Sequence, residues 1–173
     1  MKMRKAVLAL VMSLSLVSIS GCDAYQGAMN TANVVGNIVK IAQADLPQLQ
    51  TAGIISATEL PIVTGYLGAV QTADGAAITC INAAGTSAKK SAVVTCLNAI
   101  VTAVTAPALL TQLRILNPAL QNKIELWIVG VQLAVAAFTG LTTAPPVLTA
   151  AQYPTHEELA DFRSRVLSAQ NGE

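Results

Sequence analysis

The chain has 173 residues, of which 53% are hydrophobic, 3% aromatic and 11% charged, and its formal net charge is +1. Soluble domains carry about 25% charged residues, so the composition excludes an intrinsically disordered chain. Ten Lys/Arg against nine Asp/Glu leave no electrostatic footprint for nucleic acid, and one His and three Cys leave little material for a metal centre or a catalytic constellation.

The first five residues, Met1-Lys2-Met3-Arg4-Lys5, form a short basic segment. Ala6 to Ile19 is an uncharged run of about 14 residues rich in Leu, Val and Ser, and Ser20, Gly21 and Cys22 follow. A positive start, an apolar stretch and small residues at its end are the parts of a secretory signal peptide. The stretch is shorter than the ~20 residues needed to span a bilayer.

These residues resemble the start of bacterial lipoproteins. Ile19-Ser20-Gly21-Cys22 is similar to their lipobox: an aliphatic residue, two small residues and an obligatory Cys. The resemblance covers residues 1–22 only. It implies that the Cys22 thiol receives a diacylglycerol and that the signal is cut just before it. The implied organisation is a signal peptide over 1–21 and a lipidated tether from Cys22 over 22–28; independently, the length allows a single helical domain over 29–173. The implied location is the bacterial cell envelope, membrane-anchored and facing the periplasm or the exterior. Asp23 follows the Cys; in enteric members of that family Asp at this place favours the inner membrane. An ordinary signal peptide with an incidental Cys22 is the alternative.

The mature chain reads as helices throughout, since no alternating apolar and polar run bounded by hairpin turns stands out. Frequent Val and Thr, which have strand propensity, pull the other way. Val34, Val35, Ile38, Ile41 and Ala42 suggest a first helix ending near Asp45-Leu46-Pro47. Ser56 to Glu59 matches a capping box, although Pro61 sits better in the first turn of a helix capped by Thr58. Leu60, Val63, Leu67 and Val70 carry that helix to Asp74-Gly75, which reads as a kink or break.

With Cys22 assigned to lipid, Cys80 and Cys96 form an even pair in an exported chain, where disulfides persist. The loop Gly85 to Ser91 has its midpoint, Ala88, eight residues from each Cys. Antiparallel helices flanking it would bring both cysteines to one level, and Ala83, Ala84 and Ala92 would permit the close approach a disulfide needs. Two free thiols or a redox pair are the alternatives, though no C-x-x-C is present.

After the loop, Ser91 is placed to cap a helix in which Val94, Leu97, Ile100, Val101 and Val104 follow Val93 at one, four, seven, eight and eleven residues, a single helical face. Pro107 marks its end, and a short piece to Leu116 leads to Asn117-Pro118, an N-cap followed by Pro at the first helical position. Leu120, Ile124, Trp127, Ile128, Val131, Val135 and Phe138 make the next apolar stripe, with Gln121, Glu125, Gln132 and Thr139 as a polar seam opposite and Gly140 as its stop. Leu141 to Pro154 reads as a crossing loop. Thr155 to Glu158 reads as a capping box opening a charged helix to about Ala169, in which Asp161 and Arg165 are spaced for an i,i+4 pair.

The expected fold is therefore all-α: a bundle of about five to six helices with a disulfide-linked central helical hairpin. Uncharged windows between Lys90 and Arg114 and between Glu125 and His156 are long enough to span a membrane. Their polar positions Asn98 and Gln132, and Pro107 and Pro145-Pro146, favour a globular bundle over an inserted hairpin.

Little in the chain names a chemistry. His156, Glu157, Glu158 and Asp161 could be imagined as metal ligands, but no second His completes a zinc site, and a capped helix start explains them. No G-x-S-x-G selects a serine to work with His156. Gly65, Gly68 and Gly75 do not make a phosphate loop. Asp74 is either a buried functional carboxylate or a turn residue. Lys89-Lys90, with Arg114 and Lys123, could touch lipid headgroups or simply be solvated. The expectation is a non-catalytic, lipid-anchored envelope protein with no cofactor, a structural or interaction role, and no nucleic-acid partner. Its partners would be the membrane through the lipid, and an envelope protein or an apolar ligand. A binder of an apolar small molecule in a bundle cavity, or a membrane-active protein whose central helices insert, are the alternatives.

Overall fold

The structure, a computed structural model, describes residues 24–140 and 156–171. Among the described residues the fold is all-α, with six helices: α1 (Ala24–Thr51), α2 (Leu60–Ala84), α3 (Lys90–Val104), α4 (Pro107–Leu113), α5 (Pro118–Thr139) and α6 (His156–Asn171). Cys22, expected to carry the lipid, and the segment 141–154, expected to be a crossing loop, lie outside them.

Three helices bury a stripe that alternates steps of four and three residues. In α1 it runs Ala28, Ala32, Val35, Val39, Ala42, Leu46 and Leu49; in α2 Val63, Leu67, Val70, Asp74, Ala77 and Ile81; in α3 Val93, Leu97, Ile100 and Val104. That rhythm keeps one seam facing a neighbour along the whole helix. α1 is the hub, packing against α2, α3, α5 and α6, while α2 also packs on α3 and α4, and α3 on α5. The alanines of α1 let these partners come close.

Threonine is compatible with helix here because its hydroxyl is satisfied locally. Thr31, Thr72, Thr79, Thr95, Thr102, Thr105 and Thr139 each donate Oγ1–H to the carbonyl four residues back, at 2.8–3.0 Å. This back-bonding satisfies the hydroxyls within the helices, at a slight cost in helix stability.

Several boundaries differ from the sequence reading. α1 begins at Ala24 and its first core residue, Ala28, is fully buried, so residues 24–28 belong to the bundle and not to a tether. α1 also runs through Pro47 to Thr51. Proline forfeits one hydrogen bond in a helix, but the extra turn buries Leu49. Gly53 (φ 70°) then ends α1: its N–H reaches the Gln50 carbonyl at 3.0 Å and the Ile54 N–H reaches that of Leu49 at 2.9 Å, a Schellman motif.

Nor does α2 break at Asp74-Gly75, because Asp74 occupies a position of the buried stripe. Ser91 lies inside α3, which starts after Lys89 with no side-chain cap. The ends of α5 match expectation: Asn117 Oδ1 accepts from Leu120 N–H at 3.0 Å, Pro118 follows, and Gly140 (φ 74°) closes the helix.

The Ser56–Glu59 capping box forms. Glu59 Oε2 accepts from Ser56 N–H at 2.9 Å and Ser56 Oγ from Glu59 N–H at 3.2 Å. The same carboxylate ties two helix starts together, accepting from Asn117 N–H at 2.8 Å, while Asn117 Nδ2 also donates to the Ile54 carbonyl at 2.7 Å. These donors hold the Glu59 pKa down at about 2, with the Ser56 and Asn117 backbone N–H groups foremost.

Candidate functional site

Cys80 and Cys96 are disulfide-bonded, with Cα atoms 5.6 Å apart, and the bond links α2 to α3 as the central hairpin required. The hairpin ends in the exposed loop around Lys89 and Lys90. Three contacts bring this loop beside the start of α1. Tyr25 Oη donates to Asn82 Oδ1 at 2.7 Å; the Phe138 ring lies so close over Gly27 that an added Cβ would meet it at 2.6 Å; and Lys90 Nζ stands 5.4 Å from the centre of the same ring. Arg114 and Lys123 belong to the opposite end of the bundle, after α4 and at the start of α5. The four cations grouped by sequence reading are therefore two separate sets.

An open cleft of about 380 Å³ lies where α6 crosses α1 and α5. Leu49, Leu126, Trp127 and Phe162 supply its apolar lining, and Asp45, Lys123, Glu157, Asp161 and Arg165 its charges. Gly130 makes the docking of α6 possible: a Cβ there would lie 2.6 Å from the Phe162 ring and 3.5 Å from Ile38 Cδ1.

Arg165 does not turn to Asp161. It forms two hydrogen bonds to Asp45 on α1, Nη1 to Oδ2 at 3.0 Å and Nη2 to Oδ1 at 2.6 Å. A bidentate guanidinium–carboxylate fork is stronger than a single i,i+4 pair on an exposed helix face. The bond to Asp45 raises the Arg165 pKa further.

Asp74 is the buried carboxylate of the two alternatives. Only 6% of it is exposed, Oδ1 has no hydrogen-bond partner among the described residues, and Oδ2 faces Gly36 on α1. Burial pushes its pKa up to about 6, and the Lys40 charge opposes the shift. Tyr66 Oη donates to the Val104 carbonyl at 3.3 Å, and burial raises its pKa.

The expected polar seam of α5 is not on the surface. Gln121, Glu125 and Gln132 are buried. Gln121 Nε2 donates to the Leu116 and Arg114 carbonyls at 2.6 and 2.9 Å. The Gln132 side-chain amide, in a residue 5% exposed, has no hydrogen-bond partner among the described residues.

Glu157 and Asp161 are exposed on the rim of the cleft; the His156 and Glu158 side chains, and the Thr155 cap, lie outside the described residues. Among the described residues no three His, Cys, Asp or Glu gather as a metal site. Gly65, Gly68 and Gly75 sit within α2 with open space around them. The stretch Lys90–Leu113 has a mean hydropathy of 2.0, is long and apolar enough to cross a membrane, and is 28% buried. It is interrupted between α3 and α4 at Thr105-Ala106. Sequence reasoning missed the cleft because its lining comes from three helices far apart in the chain. Comparison of the chain with known protein families, with curated proteins and with solved structures found no match.

Proposed function

We propose that this chain is a lipid-anchored, non-catalytic protein of the bacterial cell envelope, acylated at Cys22 and serving a structural or interaction role. The observation that carries the reading is the disposition of its cysteines. Cys80 and Cys96 are consumed by a bond suited to an oxidising compartment. This leaves Cys22, at the end of the lipobox-like segment, as the thiol available for lipid. The cleft rim offers carboxylates and cations already paired or solvated, a setting for binding more than for proton transfer.

The test replaces residues 1–22 with a signal peptide cleaved by ordinary signal peptidase, so that Asp23 begins the mature chain. Release of the oxidised protein from membranes in a high-salt, high-pH wash supports a lipid as the only anchor. Retention refutes the reading and turns attention to Lys90–Leu113 as a membrane element.

The cleft favours a second reading, the binding of a small amphipathic molecule. Its volume falls within the ~300–1,000 Å³ of ordinary ligand sites, and an aromatic lining beneath a charged rim suits an apolar chain with a polar head. Trp127 is the single Trp and is 3% exposed beside the cleft, so a quencher carried by the ligand reports on occupancy. Saturable quenching by lysophosphatidylcholine with a brominated acyl chain, below its micelle concentration and lost in Phe162→Ala, supports binding; unquenched emission refutes it.

A further inference from the structure

We infer that the end of the bundle carrying Lys89 and Lys90 is a docking surface for anionic lipid headgroups, held flat against the bilayer by the absence of any slack between anchor and fold. The inference rests on acylation of Cys22. Two residue steps separate Cys22 from Ala24, the first residue of α1, and covalent geometry keeps their Cα atoms within about 7.6 Å. An acylated Cys22 therefore brings the start of α1, and whatever packs beside it, to headgroup level.

What packs beside it is the lysine loop, tied there through Tyr25–Asn82 and through the Phe138 ring shared by Gly27 and Lys90. Both lysines are exposed. The described acidic residue closest to this end along α2 is Asp74, ten residues before Ala84, or roughly 15 Å along the helix. Asp23 is the one acid adjoining the anchor in sequence. The other acids of the mature chain, Asp74 and the C-terminal Glu173 apart, belong to the segments that form the far end: Asp45, Glu59, Glu125, Glu157, Glu158 and Asp161. Cleavage before Cys22 leaves seven Lys/Arg against nine Asp/Glu, so a net anionic protein presents its cationic end to the membrane. α1, of 28 residues, is about 42 Å long. That exceeds several Debye lengths of about 8 Å at physiological salt, so the far end lies beyond the lipid's field.

The field supplies the assay. An anionic leaflet at about −30 to −50 mV concentrates protons and lowers the free-amine fraction of a lysine at its surface by about three- to sevenfold. The full chain is expressed, purified from membranes in detergent and reconstituted outward-facing into phosphatidylcholine vesicles, with or without about 30 mol% phosphatidylglycerol to supply the anionic surface potential. Each is treated briefly with an impermeant amine-acylating reagent, and each lysine is quantified by mass spectrometry. The expected result is a three- to sevenfold fall at Lys89 and Lys90 on the anionic vesicles, none at Lys40 or Lys123, and no fall anywhere at about 1 M salt, where the Debye length shrinks to about 3 Å. Labelling that is unchanged at Lys89 and Lys90, or that falls at Lys123 instead, overturns the inference. The intact mass is read on the same sample. An acylated chain with uniform labelling overturns this docking surface alone, whereas an unmodified Cys22 overturns the lipoprotein reading as well.

Discussion

Asp74→Asn is the perturbation with the most definite consequence. The native carboxylate lies on the buried stripe of α2, with Oδ1 unpartnered among the described residues and Lys40 as the cation that offsets its burial. Its pKa rises from 3.8 unfolded to about 6 folded. A raised carboxyl pKa means that the folded state holds the proton more tightly than the unfolded chain. Stability is therefore greatest where both states are protonated, and it falls as pH climbs from about 4 to about 6 before levelling off. The slope is at most about 1.4 kcal/mol per pH unit, and the full difference between pH 4 and pH 7.5 is about 2–3 kcal/mol.

Asparagine keeps the shape and removes the charge. The variant should be more stable than the native chain at pH 7.5 by about 2 kcal/mol, or roughly 4–8 °C in Tm for a domain of this size. At pH 4 the two should unfold together. Urea unfolding followed by circular dichroism at pH 4.5, 5.5, 6.5 and 7.5 measures both. Equal or lower stability of Asp74→Asn at pH 7.5, or an unaltered pH dependence between 4.5 and 6.5, would refute the argument that an ionised Asp74 burdens the α1–α2 interface.

Three further outcomes follow from the same packing. Reducing the Cys80–Cys96 bond, which closes a loop with a sequence separation of 16, should cost about 3 kcal/mol, read as a lower Tm in dithiothreitol that Cys80→Ser/Cys96→Ser reproduces without it. Gly130→Ala puts a Cβ into the Phe162 ring and should cost about 1–3 kcal/mol, appearing first as faster amide exchange in α6 while α2 and α3 stay protected. Glu59→Gln should lose about 1 kcal/mol at pH 7, since exposure to solvent weakens the node it forms. Because the native Glu59 pKa is lowered from 4.5 to about 2, its stabilisation is fully present above pH 4.5 and is lost as pH falls toward 2. The Gln variant should lack that acid-side dependence.

Much of the fold was legible because its signals are local. Asn117-Pro118, Gly140, the Ser56–Glu59 box and the two cysteines equidistant from Ala88 each act through a few neighbouring residues, so reading them needs no knowledge of what packs elsewhere. Where local signals conflicted, the buried stripe prevailed. Pro47 and Asp74-Gly75 look like stops, yet the four–three rhythm continues through both, to Leu49 in α1 and to Ile81 in α2. Following that rhythm past the first breaker would have placed Asp74 in the core from the sequence alone.

The presence of the helices, the Asn117 cap and the disulfide were thus written into the order of residues, and the end of the chain that an acyl group would hold carries a lipobox-like motif. Tertiary structure decided which faces have neighbours. A Gln on an amphipathic helix faces water only if nothing packs over it, and Gln121, Glu125 and Gln132 of α5 are buried. It likewise turned Arg165 from Asp161 to Asp45, assembled the cleft around Trp127 from three distant segments, and parted Lys89-Lys90 from Arg114 and Lys123. Spacing along a helix sets which residues share a face; only packing sets what that face meets, because the partners come from elsewhere in the chain.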